Sequence, residues 1–259
     1  MEPSQGTPNW RWPVCGKAED ANVQRLRGTS RRLVCRTRSD TEFLADPKEV
    51  PSLRQIRFLW KPIAFLLCLT PLAWLVLSIL EIGSLRLGPN PIEDIQDTLG
   101  IWTLRFIVLT LAISPLRWMT GKNWLVQFRR MIGLFAFTYA SLHFLNYLVL
   151  DQTFDFAAII EDILERPFIT IGFSALLMMI PLAVTSTNGW RRRLARRWRD
   201  LHRLVYVVSI FGCWHFYWQV KKDIQEPMIY ISILTLLLGM RIWRWRRNTI
   251  KSRATRSQT

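Results

Sequence analysis

LHRLVYVVSIFGCWHFYW, residues 201–218, is an apolar run of membrane length that holds two of the chain's three histidines. His202 stands at its start and His215 thirteen positions later. With a helical rise of about 1.5 Å per residue, a single helix would hold them about 20 Å apart. The third histidine, His143, falls in another apolar run, 131–150.

Half of the 259 residues are hydrophobic and 13 are Trp, yet the net charge is +16 and the pI about 10.7. A soluble basic protein rarely joins these properties, and here they are segregated along the chain. Apolar runs occupy 62–80, 101–116, 131–150, 168–185, 201–218 and 227–240. Together they predict an all-α integral membrane protein, a bundle of six transmembrane helices, with the shortest runs completed by interfacial Trp or Arg. Pro62 opens the first helix, where a missing N–H costs little. Pro181 marks a kink in the fourth. Neither an internal repeat nor the paired broken helices of a transporter are evident.

Lys and Arg concentrate in loops that remain cytoplasmic. With the amino terminus inside, twenty-one of them fall on the inner side, seven in 190–203 and seven after Met240. Only Arg86, Arg105, Arg166, Lys221 and Lys222 fall outside. The outer side also takes eleven of the nineteen acids, with Glu93, Asp94 and Asp97 in a predicted loop over 83–97 and Glu161, Asp162 and Glu165 in another. Both termini are therefore expected in the cytoplasm. The same topology accounts for the basic patch RRRLARRWR, so no nucleic-acid partner is expected, and anionic membrane lipid is the contact it predicts.

Residues 1–53 are polar without an apolar period and read as a disordered tail that contains no signal peptide. Residues 54–247 read as the six-helix domain and 248–259 as a basic cytoplasmic tail. Cys15, Cys35, Cys68 and Cys213 show no CxxC spacing, which predicts neither a zinc site nor a disulfide framework.

An ionisable side chain inside a membrane is costly and is by default a functional candidate, although a lone histidine also serves as a hydrogen-bond partner between helices. Depth separates the two cases. His143 lies about 18 Å from the inner end of its run and His215 about 20 Å from the inner end of its own. Both runs point outward, so the two imidazoles reach one level in the outer half of the bilayer. Two neutral ring nitrogens facing each other at one height are what the axial positions of a haem iron require. Trp214, Phe216, Phe144 and Tyr147 can pack on a flat macrocycle, with Gly212 and Ser141 leaving room. Ordinary helix packing accounts for such a set of aromatic residues as well.

His202 differs. It lies near the cytoplasmic edge, about 140° around an ideal helix from His215. The residue at its level in the third run is near Arg130, not a histidine. His202 is therefore a lone ligand of a second haem, part of another cofactor site, or a structural residue. Arg105, about one turn inside the outer edge, either snorkels to the headgroups or meets an anionic group of a cofactor. The cofactor-binding candidates are thus His143, His215, His202, Arg105 and Arg130, with His143 and His215 as iron ligands and His202 as a candidate ligand of a second iron.

Six helices with histidines in the third and fifth resemble the ferric reductase-like transmembrane family, whose members hold b-type haems in a four-helix core. The strings IRFLWKP, GPNPIEDI, TLGIWTLRF, ISPLRW, FRRMIGL, YASLHFLNY, RPFITIG, AVTSTN, RWRDLHRLVYVV and HFYW, spread from residue 56 to 218, are jointly similar to the MsrQ family. That family comprises the haem-binding membrane subunits of the bacterial periplasmic methionine sulfoxide reductase system. The resemblance implies that His143, His202 and His215 fall on the family's haem-associated histidines. It implies haem b, one or two per chain, together with an FMN whose site the sequence does not place. It also implies a place in the bacterial inner membrane, the quinone pool or a cytosolic flavin reductase as electron donor, and MsrP, a periplasmic molybdopterin enzyme, as acceptor. The broader family's two-haem pattern uses four histidines in two pairs, and this chain has three.

The expected activity is electron transfer, with substrate reduction completed in the partner. A bilayer core of about 30 Å is too thick for one electron step, so intermediate cofactors are required. The acidic outer loops are the expected docking surface. Two other readings compete: a haem-b ferric or quinone reductase with a different acceptor, and a cofactor-free membrane scaffold or transporter.

Overall fold

Proline, glycine and capping side chains divide the apolar sequence into helices. The computed structural model describes residues 55–82, 87–220 and 224–256. The tail over 1–53, with Cys15 and Cys35, and the loop residues Arg86, Lys221 and Lys222 lie outside the described residues. α1 (Lys61–Ile79) is entered through one π-helical turn, Ile56–Trp60, and carries Pro62 in its first turn. α2 (Pro91–Thr120) also starts on a proline, with Glu93 and Asp94 in the first turn complementing the helix dipole. It stops at Gly121, whose left-handed φ of 70° lets its N–H reach Arg117 O at 2.9 Å.

α3 (Val126–Asn146) continues into a π-helical turn at Tyr147–Asp151. α4 (Phe156–Glu165) is a short amphipathic helix capped by Asp155, whose carboxylate accepts from the N–H groups of Ala157 and Ala158. α5 (Pro167–Val184), α6 (Asn188–Leu201), α7 (Leu204–Gln219) and α8 (Gln225–Arg256) complete the order.

Five helical stretches are long and apolar enough to cross a membrane: Phe58–Ile79, Pro91–Thr120, Asn123–Asp151, Pro167–Val184 and Gln225–Ile250. α7 has 16 residues, about 24 Å of helix, and is shorter than these because the turn at His202–Arg203 removes the start of the expected run. α2 and α3 pack closely, as do α5 and α7; α3 against α5 and α2 against α7 close a four-helix core, flanked by α1 and α8. Phe106, Ile107, Tyr139, Met179 and Val208 lie buried inside it. Leu66, Leu67 and Leu236, 61%, 67% and 63% exposed, point outward as side chains of a lipid-facing surface would.

Several expectations change. The acidic segment read as a loop over 83–97 is helical from Pro91, so Glu93, Asp94 and Asp97 stand on the first turns of α2. The arginine loop over 190–203 is the helix α6, started by Thr187 and broken at Ala195 (φ 43°, ψ −108°). α8 does not end near residue 240 but runs on to Arg256. Its Arg241 donates to Leu111 O at 2.8 Å and to the Tyr206 hydroxyl, tying α8 to α2 and α7.

One buried hydroxyl ties α3 to α1. Tyr139, 1% exposed, donates to Cys68 O at 2.9 Å and accepts from the Leu72 N–H at 3.0 Å. These two backbone groups are an i, i+4 pair beside Pro71, where the ladder already lacks a donor. Tyr139→Phe removes the hydroxyl that bridges them and the tie between α1 and α3, and is expected to cost about 1 kcal/mol, the two backbone groups being able to rejoin the ladder. Thermal unfolding in detergent should show the loss, with the helix content of the folded protein unchanged.

Candidate functional site

His143 on α3 and His215 on α7 meet inside the four-helix core, their ring centres 6.2 Å apart and their planes at 85°. Each ring is fixed by the helix packed against its own. His143 Nδ1 lies 3.0 Å from Gln96 O on α2, and His215 Nδ1 lies 2.7 Å from Phe168 O on α5. A carbonyl accepts only, so both Nδ1 atoms carry the proton and both Nε2 atoms are left as neutral donors of a lone pair. The surroundings of His143 agree with that tautomer. Asn146 donates to Gln96 Oε1 at 2.7 Å, which turns the Gln96 amide nitrogen toward His143 Nε2 at 3.4 Å.

Glycine makes the approach feasible. A Cβ on Gly100 would stand 3.1 Å from the His143 ring, and one on Gly172 would stand 2.8 Å from that of His215. The accepting carbonyls sit four residues before these glycines, so on each side one helical turn supplies both the hydrogen bond and the space. The arrangement occurs twice in the same register: Phe168, Gly172 and His215 each follow Gln96, Gly100 and His143 by 72 residues. The sequence reading saw no repeat. Its signal was there in the equal spacing of glycine and histidine, in two stretches otherwise too divergent to align by eye.

A cavity of about 280 Å³ opens at the two rings. Phe144 and Phe173, 5.5 Å apart, and Leu104 line it, with Ile107, Met179 and Val208 closing one end. Its polar end carries Asp97, Asp151, Arg166 and Tyr147. Imidazole–metal bonds run about 2.0–2.1 Å for zinc. A comparable bond on each side of one ion puts two ring centres about 6 Å apart, so the observed pair fits two axial ligands of a single metal. Apolar walls around them fit a flat organic macrocycle.

His202 lies elsewhere. It caps α6 rather than opening the helix of His215, stacks on Trp198 at 3.9 Å between ring centres, and brings Nδ1 to 3.1 Å from Trp198 O. The angular relation expected for one continuous helix therefore does not apply. His202 lines a second cavity of about 300 Å³ together with Arg129, Arg130, Arg191, Trp198 and Ser186. No carboxylate lines it among the described residues, and Arg130 donates to Asn188 Oδ1 at 2.6 Å. The two cavities share Ile107, Met179 and Val208 as a common wall.

Arg105 joins neither. It donates from Nε to the Tyr230 hydroxyl at 3.0 Å and lies over the Trp102 ring at 4.7 Å, a surface anchor between α2 and α8. The sequence thus brought His143 and His215 together, and placed His202 with Arg130, but missed Gln96, Gly100, Phe168 and Gly172, which hold the rings.

Residues 99–213, which include His143 and His202 and end two residues before His215, match the family described as "Ferric reductase like transmembrane component". A protein of Xanthomonas euvesicatoria pv. vesicatoria, named as the heme-binding subunit MsrQ of protein-methionine-sulfoxide reductase, is 49% identical over 173 residues, 67% of this chain and 79% of its own. A protein of the same name from Ralstonia nicotianae is 46% identical over 196 residues, covering 74% and 87% of the two chains. The chain belongs to the MsrQ family.

Gly172→Ala should push the His215 ring off its carbonyl, and Gly100→Ala should disturb His143 less, as the longer approach indicates. Thermal unfolding of the detergent-solubilised protein is expected to show the larger loss for Gly172→Ala, about 1–3 kcal/mol for the overpacked contact.

Proposed function

We propose that this chain is the haem-b electron-transfer subunit of a methionine sulfoxide reductase system in the bacterial inner membrane. It takes electrons from the quinone pool or a cytosolic flavin reductase. It delivers them to MsrP, a periplasmic molybdopterin enzyme that completes substrate reduction during repair of oxidised proteins. The observation that carries this reading is the histidine pair, with both Nδ1 atoms tied to carbonyls and the Nε2 atoms left as acceptors, that of His143 facing only the Gln96 amide at 3.4 Å. The names of the relatives, haem-binding subunits of such a system, support it.

A haem held there supplies a one-electron centre in a low-dielectric setting. The residues around it do the positioning. His143 and His215 would hold its iron, the carbonyls of Gln96 and Phe168 keep the rings from rotating, and Gly100 and Gly172 keep them close to the neighbouring helices. Phe144, Phe173 and Leu104 keep water out. The second cavity suits a cofactor with an anionic end, FMN or a second haem, because Arg129, Arg130 and Arg191 meet no lining carboxylate there.

Charge segregation supports the orientation. With α7 as a short sixth span, the arginines of α6 and of the α8 end lie inside together with both termini and the basic residues 248–259. The histidine pair then sits in the outer half, within reach of a periplasmic acceptor. The arginine-lined cavity sits toward the donor. The polar tail 1–53 takes no part in this scheme.

Protein purified from haem-replete cells should show a Soret band, which His143→Ala and His215→Ala each largely abolish. His202→Ala should keep that haem and lower occupancy of the second cofactor, measured as flavin or additional haem per chain. Colourless wild-type protein, or full haem in both alanine variants, sinks the reading. Normal haem with reduction of ferric iron or quinone and no electron delivery to MsrP would move the assignment to another acceptor.

A further inference from the structure

We propose that Arg166 is the cation that receives the carboxylate side chains of the porphyrin held by His143 and His215, and that Asp162 positions it. This rests on the haem reading given above. Porphyrin b carries two carboxylates on one edge, and a carboxylate entering an apolar slot without a partner costs several kcal/mol. Among the described residues lining the histidine cavity, Arg166 is the one cation; Asp97 and Asp151 are acids, and the histidines are neutral. Arg105, the arginine favoured by depth in the sequence, is committed to Tyr230 and Trp102 away from it.

Arg166 is also held in place. It precedes Pro167, which restricts its backbone to an extended conformation (φ −104°, ψ 98°), and its carbonyl accepts from the N–H of Ile169 at 2.9 Å. Two residues on, Phe168 provides the carbonyl that fixes His215. The same turn therefore sets both an imidazole and a guanidinium. Arg166 Nε meets Asp162 Oδ1 at 3.0 Å. Asp162, only 12% exposed at its side chain, accepts at Oδ2 from Tyr147 Oη at 2.9 Å and Gln152 Nε2 at 2.8 Å.

One carboxylate thus locks the arm from the Nε side. The planar fork still offers the N–H groups of its two terminal nitrogens, the geometry suited to bidentate carboxylate binding. The Arg166 side chain is 58% exposed, open to a ligand rather than enclosed in the protein. Tyr147, bound to the same Asp162 and lining the same cavity, offers a rigid second wall. The motif RPFITIG acquires a role at each end: arginine for the acidic edge of the ligand, glycine for the axial ring.

The test compares two ligands that differ only at those carboxylates. Chain produced without haem is solubilised and titrated with haemin and with haemin dimethyl ester, following the Soret band. Wild-type protein is expected to prefer haemin by about tenfold or more, the worth of one charge-assisted hydrogen bond. Arg166→Gln should bring the preference close to onefold while keeping the Soret position set by the two histidines, and Arg166→Lys should fall between. A wild-type protein that does not discriminate, or an Arg166→Gln protein that discriminates as strongly as wild type, overturns the proposal. If Arg166→Gln does not accumulate, Arg166→Lys decides, and an unchanged preference there is equally fatal. His143→Ala separates the two levels of inference: normal binding of both ligands by that variant refutes the haem reading itself, whereas loss of binding there together with an Arg166→Gln protein that keeps the wild-type preference refutes only the role of the arginine.

Discussion

The structure depends on one constraint: an imidazole must approach a neighbouring helix closely enough to hydrogen-bond a carbonyl that already belongs to that helix's own ladder. Only a residue without a Cβ permits it at this distance, and Gly100 and Gly172 are those residues. The close packing of α2 with α3 and of α5 with α7 follows from this contact. So does the protonation of both rings, because a carbonyl accepts and cannot donate. Ring orientation, tautomer and helix spacing are consequences of a single kind of contact made twice.

The doubling has a structural meaning. Gln96, Gly100 and His143 recur as Phe168, Gly172 and His215 at one offset, so the core consists of two helix pairs of like register facing each other. The environments are nonetheless unequal. His143 sits with the amides of Gln96 and Asn146, whereas His215 stacks on Phe168 with ring centres 6.3 Å apart. One imidazole has a polar neighbour and the other an aromatic one, so in the proposed role the two would differ in basicity as ligands.

The sequence disclosed what period and depth can encode. Apolar length located the helices, and the count of residues from their inner ends put His143 and His215 at one height. It did not disclose which turn of another helix each ring would touch, because Gly100 and Gly172 act across a helix interface that leaves no local trace. The helical state of 91–97 and of the arginine segment was hidden for a different reason. Polar segments carry no burial signal, and there the caps decide: Pro91 with its acidic first turn, and Thr187 ahead of α6. His202 was read as continuous with the helix of His215 for another reason: a turn at the start of an apolar run has no Gly or Pro to announce it.

Ile107, Met179 and Val208, 4%, 7% and 1% exposed, form the wall between the two cavities. None of these side chains can give or accept a proton, and none can hold a water chain in place. In the proposed role the partition is an apolar barrier that offers hydrogen ions no relay. Charge that crosses it moves alone, against or along the membrane voltage, while the accompanying protons are released and taken up on opposite faces.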